Sequence, residues 1–323
     1  MSSLLKMLIV AYITASALAA TYSQTDSHTG PDFLNAFTSP HDNILRWAVY
    51  RNYVDAGTAA SQNLTFASGN TFIMRADSKK TLSSSGAGRN SVRLQSNKQY
   101  TTSVMVFNIR HMPQGCGTWP AVWTVGGDWP NEGEIDILEG VNDQGPNQVT
   151  LHTGNGGCTM PASRSETGTA VGNDCDTADT NNAGCGVKVD DGRSYGPSFN
   201  SNGGGWYAVE RTNSFIKVWF WSRSAGGIPS DVTSGASKVN TDNWGTPRAF
   251  FPSTSCSISS KFGPHNIIFD LTLSQFLQGG DWAGSSSVYA ASGCPSTCVD
   301  YVNNNPSAFT NAYFDFAWLK IYA

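Results

Sequence analysis

Residues 131–140 read Asn-Glu-Gly-Glu-Ile-Asp-Ile-Leu-Glu-Gly and place Glu132, Glu134, Asp136 and Glu139 close together in a chain of which only 14% is charged. Glu134, Asp136 and Glu139 alternate with Ile135, Ile137 and Leu138, and apolar alternation of this kind marks a strand. Residues two apart share a face of a strand, so Glu134 and Asp136 point the same way, whereas Glu139, five on from Glu134, points the opposite way. One bulge between Asp136 and Glu139 inserts the residue that corrects this parity and brings all three carboxylates to one face. Glu134 and Glu139 are then about four steps apart, roughly 13 Å between Cα atoms, and side chains leaning together bring the carboxyls to about 5–6 Å. That is the spacing of a nucleophile and an acid/base flanking one glycosidic bond. Glu132 is left as a bystander near the rim.

The alternatives to chemistry at this strand are weak on physical grounds. Like charges on one sheet face cost stability, which a solvated face gives no reason to accept. A calcium site built from three side chains of one strand runs against the way calcium loops wrap their ion. Of the three acids, one glutamate must be ionised to attack and one protonated to donate to the leaving oxygen. Asp136, lying between them, shares a proton or hydrogen bond with one and raises the pKa of another.

The 323 residues suffice for one large all-β domain. A net charge of −4 leaves no basic footprint, so nucleic acid is not an expected partner. Lys6 is followed by an apolar run from Met7 to Ala20 that contains Ala17-Leu18-Ala19. Residues 1–19 therefore read as a secretory signal peptide and 20–323 as a single catalytic β-sandwich domain, secreted, extracellular and monomeric, with no membrane span. Asn63-Leu64-Thr65 is a glycosylation sequon that fits this route. Seven cysteines (116, 158, 175, 185, 256, 294 and 298) imply disulfides and leave one over. Cys294 and Cys298 have no histidine beside them, so no metal site is expected there.

Short apolar runs broken by Gly, Asn, Ser and Pro recur along the chain. Strands are expected at 71–76, 91–95, 100–109, 122–125, 133–139, 148–152, 267–272 and 313–322, with a hairpin of 206–211 and 215–221 across Thr212-Asn213-Ser214. Residues 21–55 are hard to assign, with Leu45–Tyr50 either a strand or a turn of helix, and 154–205 read as a long loop region stapled by disulfides. No helical pattern of three turns or more is visible. Many short strands and no helices predict an antiparallel sandwich or barrel.

Aromatic residues surround the acids. Trp119, Trp123 and Trp129 precede them and Trp282 follows in Gly280-Asp281-Trp282. Sugar rings stack an apolar face on indole while their hydroxyls seek polar groups. Trp129 sits in a turn-rich segment just before the acid strand, the place for a sugar platform, whereas Trp206, Trp219 and Trp221 read as core or sheet-face residues. His152 either bonds substrate or a carboxylate, or is a satisfied buried histidine. Arg93 either reaches the cleft or pairs with an acid.

At this point the sequence resembles a known family. Glu134-Ile135-Asp136-Ile137-Leu138-Glu139 is similar to the Glu-x-Asp-x-x-Glu signature of glycoside hydrolase family 16. The segments 110–123, 139–143, 151–154, 194–200, 243–247 and 298–306 resemble the fungal laminarinase branch in the same order, over most of the chain from about Asn63 onward. The resemblance implies a β-jelly-roll sandwich (concanavalin-like) with an open cleft on one curved sheet. It implies a retaining endo-1,3(4)-β-glucanase acting on β-glucan, with Glu134 as nucleophile, Glu139 as acid/base and Asp136 assisting. Trp123, Trp129 and Trp282 then match cleft tryptophans, and His152 falls at a cleft position. No cofactor is implied; a structural calcium occurs in some members, but its ligands have no placement in this sequence. Two alternatives remain: a transglycosylase on the same site that moves glucan onto a sugar acceptor, against which the C-terminal strand 317–323 shows no anchor signal, and a glucan-binding lectin on the same sandwich, which gives no reason for the spacing of the acids. Two stretches depart from the branch. Leu273–Gly279 is longer and lacks the cysteine usually found before Gly-Asp-Trp, which would explain the odd cysteine and place the Trp282 loop differently. Residues 40–52 also differ.

Overall fold

A computed structural model describes residues 20–39, 52–83, 86, 88–273 and 282–323. Among these, two large antiparallel sheets make up the architecture, with a two-stranded sheet of Cys158–Thr159 and Ser255–Cys256 beside them. One has eight strands, ordered Thr169–Ala170, Cys185–Lys188, Gln148–His152, Glu134–Glu139, Thr118–Gly126, His265–Leu273, Arg93–Tyr100 and Phe37–Thr38. The other has nine. Its main path runs Lys238–Asn240, Thr21–His28, Tyr313–Tyr322, Ser103–His111, Gly205–Arg211, Phe215–Ser222 and Ala249–Pro252, with Thr71–Arg75 and Thr65–Ser68 branching from Tyr313–Tyr322. The core lies between the sheets. Val122, Ile135, Leu138 and Phe269 from the first pack with Phe107, Tyr207, Val218 and Phe316 from the second. Burying each such side chain is worth about 1.5–3 kcal/mol. The period-2 alternation read in the sequence is therefore the signature of a two-layer antiparallel β-sandwich of the jelly-roll kind.

The second sheet also buries part of its outer face. Trp206, Trp219 and Trp244 form a separate cluster there with Val232 of the helix Ser230–Ser234, and Trp221 packs against it half-buried. The core or sheet-face reading of Trp206, Trp219 and Trp221 is met. The hairpin across Thr212–Ser214 also forms, in register from Gly205↔Ser222 to Arg211↔Ile216. The longest helix among the described residues has seven residues, Cys298–Asn304. No helix among them is long and apolar enough to cross a membrane.

Several expectations need correction. The strand expected at 91–95 runs from Arg93 to Tyr100, and the next begins at Ser103, because the polar residues 97–99 continue the strand with their side chains exposed. Within 21–55, Thr21–His28 is a strand whose mostly exposed residues hide any alternation. Leu45–Tyr50 and most of Leu273–Gly279 lie outside the described residues. The stretch 154–205 is more than a stapled loop: Cys185–Lys188 pairs with Gln148–His152, and Cys158, Cys175, Val187, Tyr195 and Phe199 are buried in the main core. Its glycines and asparagines concealed these strands, each no longer than four residues. Three disulfides form, Cys116–Cys294, Cys158–Cys256 and Cys175–Cys185. The seventh cysteine, Cys298, is buried in a cluster with Leu273 and Tyr289.

Candidate active site

The strand Glu134–Glu139 carries the bulge that parity demands. Against Thr118–Gly126 its register runs Glu134↔Val125, Ile135↔Thr124 and Asp136↔Trp123, then skips Ile137 and resumes at Leu138↔Val122 and Glu139↔Ala121. The extra residue turns Ile137 and Leu138 inward with Ile135, and all three are buried in the core. Glu134, Asp136 and Glu139 consequently share the outer face of the eight-stranded sheet.

The two glutamates each have an indole partner. The Trp129 indole N–H donates to Glu134 Oε2 over 2.5 Å, and the Trp119 indole N–H donates to Glu139 Oε1 over 2.9 Å. His152 Nε2 lies 3.3 Å from Asp136 Oδ2, and His152 faces Glu134 across the neighbouring strand. Burial is the main cause of shifted pKa values at all three acids. It pushes Glu134 up to about 8, with Asp136 beside it adding to the rise, and Glu139 up to about 7. Asp136 is raised well above the usual aspartate range, by burial and then by the charge of Glu139. Three carboxyls crowded in a poorly solvated site hold protons more tightly than free acids, which suits a proton donor and leaves the ionised nucleophile as a minority form near neutral pH.

The other expected residues are placed as follows. Trp129 stands in the loop before the acid strand, half-buried, with its indole turned to Glu134. Trp282 is 37% exposed and meets Trp119 edge-on at 5.9 Å, which joins it to the Glu139 end of the site. Trp123 lies on the acid face, yet it is no open platform. The Arg93 guanidinium sits 4.8 Å over its ring, and its indole N–H reaches Asp270 Oδ2 at 3.4 Å. Arg93 itself pairs with Asp270 at 3.5 Å. His152 is buried, with Nε2 facing the Asp136 carboxyl. Glu132 accepts from the Asp128 N–H and holds the preceding turn, away from the three acids.

Three participants were not singled out from sequence. Asp270 ties Arg93 to Trp123. Its signal was a lone acid inside the apolar run Ile267–Thr272. Trp119 was noted only as a neighbour of the acids. Asn147 bonds the backbone at the bulge and had no signal at all, since a lone asparagine before a strand reads as turn chemistry. Among the described residues, no group of three or more His, Cys, Asp or Glu side chains is arranged to hold a metal ion. A small, partly open pocket of about 10 Å³ behind the strand, lined by Thr124, Ile135, Arg211 and His265, has room for about one water.

A β-sandwich carrying three proton-sharing carboxyls from one bulged strand, flanked by indoles on an outer sheet face, is the architecture of a glycoside hydrolase. The chain belongs to glycoside hydrolase family 16: residues 37–322 match the family model described as "XgeA-like, catalytic GH16 domain". A protein of Aspergillus fumigatus named a probable endo-1,3(4)-beta-glucanase is 41% identical over 324 residues, covering 96% of this chain and 47% of the relative. The chain thus spans about half the length of that relative. Among solved structures, GH16 Laminarinase 16A from Phanerochaete chrysosporium, with β-glucans in its donor and acceptor sites, is similar at 57% identity and a TM-score of 0.89, over 94% of this chain and all of that one. An elongating GH family 16 β-1,3-glucosyltransferase is similar at 38% identity and a TM-score of 0.84, with the same coverage.

Proposed function

We propose that the protein is a secreted endo-glucanase that cleaves β-1,3-linked and mixed β-1,3/1,4-linked glucans with retention of anomeric configuration. One observation carries this reading: a single bulge aligns Glu134, Asp136 and Glu139, and the two glutamates each accept an indole N–H. In the first step Glu134, in the ionised form that is the minority state of a group burial raises to about 8, attacks the anomeric carbon. The glycosidic bond breaks, and Glu139 gives its proton to the departing oxygen, leaving a glycosyl ester on Glu134. In the second step Glu139 takes a proton from water, the water oxygen attacks the same carbon, and Glu134 leaves as carboxylate. Asp136, next to Glu134 and His152, balances charge between the states. The chemistry uses side chains alone. The Aspergillus relative and Laminarinase 16A, by the names they carry, support the choice of β-glucan as substrate.

Secretion belongs to the same proposal. It rests on the N-terminal 1–19 pattern, three disulfides and the exposed Asn63 of the sequon. Transfer to a sugar acceptor is the second reading, favoured by the likeness to an elongating glucosyltransferase. The deciding experiment incubates the purified protein with laminarin, lichenan and cellulose and follows product size and anomer by proton NMR. The proposal expects short β-anomers from laminarin and lichenan. Products longer than the substrate would favour transfer, and an initial α-anomer would overturn retention.

A further inference from the structure

We propose that Asn147 is a positioning residue for Glu139, its carboxamide locking the bulge that sets the direction of the Glu139 side chain; the proposal rests on the reading of Glu139 as proton donor. Asn147 is fully buried. Its Oδ1 accepts from the Glu139 backbone N–H at 2.8 Å, and its Nδ2 donates to the Ile137 carbonyl at 2.9 Å. These two backbone groups flank Leu138, where the register against Thr118–Gly126 has just skipped a residue. On the other side, pairing with Gln148–His152 runs only from Glu134↔His152 to Asp136↔Thr150. Beyond Asp136 the strand therefore faces a side chain where a ladder would normally be.

A bulge can relocate by one residue, and such a slip turns a side chain to the opposite face. Here the slip is resisted twice. The Asn147 amide fits only a carbonyl and an N–H two residues apart, and its own backbone is fixed by Ser194 Oγ at 3.0 Å and by the Val189 N–H at 2.9 Å. Immediately after Glu139, Gly140 lies against the Tyr195 ring so closely that a Cβ there would sit 2.6 Å from Tyr195 Cζ. Asn147 touches no reacting group; it acts through the Glu139 main chain.

The test compares Asn147→Asp, which keeps the shape and one acceptor but loses the donor, with Asn147→Ala, which loses both. Each is assayed on laminarin and on a 2,4-dinitrophenyl β-laminaribioside, whose leaving group departs without a proton, and each is checked by thermal unfolding. Misplacing a proton donor should lower kcat/KM on laminarin by roughly 10- to 100-fold while leaving the aryl glycoside little changed. Equal losses on both substrates, or none on either, would overturn the proposal. So would failure of both variants to fold, which would assign Asn147 to the fold rather than to Glu139. Glu139→Ala is run alongside. If it shows no difference between the two substrates, the reading of Glu139 as proton donor falls and takes the proposal with it. If it does and the Asn147 variants do not, only the positioning role falls.

Discussion

The indole N–H of Trp129 donates to the Glu134 carboxylate across 2.5 Å, from a loop only five residues upstream. A hydrogen bond to an ionised acceptor is worth about 1.5–3 kcal/mol, and it favours the charged form that must attack. Trp129→Phe keeps the ring and removes the donor. It should lower kcat/KM on laminarin by roughly 10- to 100-fold. It should also move the acid limb of the pH–rate profile to higher pH, since losing the bond raises the pKa of Glu134. A fall in rate with an unmoved acid limb would mean that Trp129 acts on the sugar and not on the carboxylate.

Glu139 offers a prediction that needs no substrate. Burial raises its pKa from the model-peptide value of 4.5 to about 7. Because the folded value lies above the unfolded one, the folded state binds the proton more tightly, and this contribution to stability is fully present below about pH 4.5. It is lost as pH rises through about 7. Glu139→Gln abolishes that loss, so the variant should melt above the wild type at pH 8 and at nearly the same temperature at pH 4. Thermal unfolding across this range checks it; a variant that gains nothing at pH 8 would contradict a protonated, poorly solvated Glu139. In the active enzyme the same ionisation should draw the basic limb of kcat/KM down near neutrality.

The bulge shows where sequence reasoning reaches and where it stops. Glu134 and Glu139 stand an odd number of residues apart, so a requirement that both face substrate forced one extra residue between Asp136 and Glu139, and Ile137 supplies it. That inference used only the alternation of a strand. What holds the bulge, the Asn147 amide, came from eight residues further along, through a contact no local pattern announces. The fold was legible for a related reason. Strands buried on one face alternate, whereas Thr21–His28 buries none of its residues fully and Cys185–Lys188 is only four residues long, so neither showed a period. Trp123 was legible as a residue of the acid face. That Arg93 would cover its ring was not, because the pair is joined through Asp270 on a strand far away in sequence.

Gly184 links the Cys175–Cys185 disulfide to the acids. It has φ +63, and a Cβ there would lie 2.5 Å from the Leu151 carbonyl oxygen and 2.9 Å from His152 Nδ1. Gly184→Ala should therefore push His152 away from Asp136 and cost about 1–3 kcal/mol of stability through backbone strain and the clash. Activity should fall with it. Gly293→Ala serves as the control, since Gly293 has φ +70 with nothing within 4 Å of its added Cβ. It should lose stability without losing turnover per folded molecule. Equal activity in the two variants would separate His152 from the chemistry.

Arg93 lies over Trp123, pairs with Asp270 and keeps 11% of its side-chain surface exposed on the face that carries the acids. Two roles compete for it. As a packing cation it would shield the indole and hold its strand. As a ligand it would offer guanidinium N–H groups to sugar hydroxyls, which accept such bonds readily. A contact made equally in ground and transition states raises KM when removed and leaves kcat alone. Arg93→Ala should accordingly raise KM for laminarin by about tenfold, the loss of one hydrogen bond of about 1.4 kcal/mol, with kcat nearly constant. Arg93→Lys should recover part of that loss, because an ammonium still donates. A lowered melting temperature in Arg93→Ala with KM and kcat both unchanged would assign Arg93 to packing alone, and Trp123 would then be a buried residue of the sheet face rather than part of the substrate site.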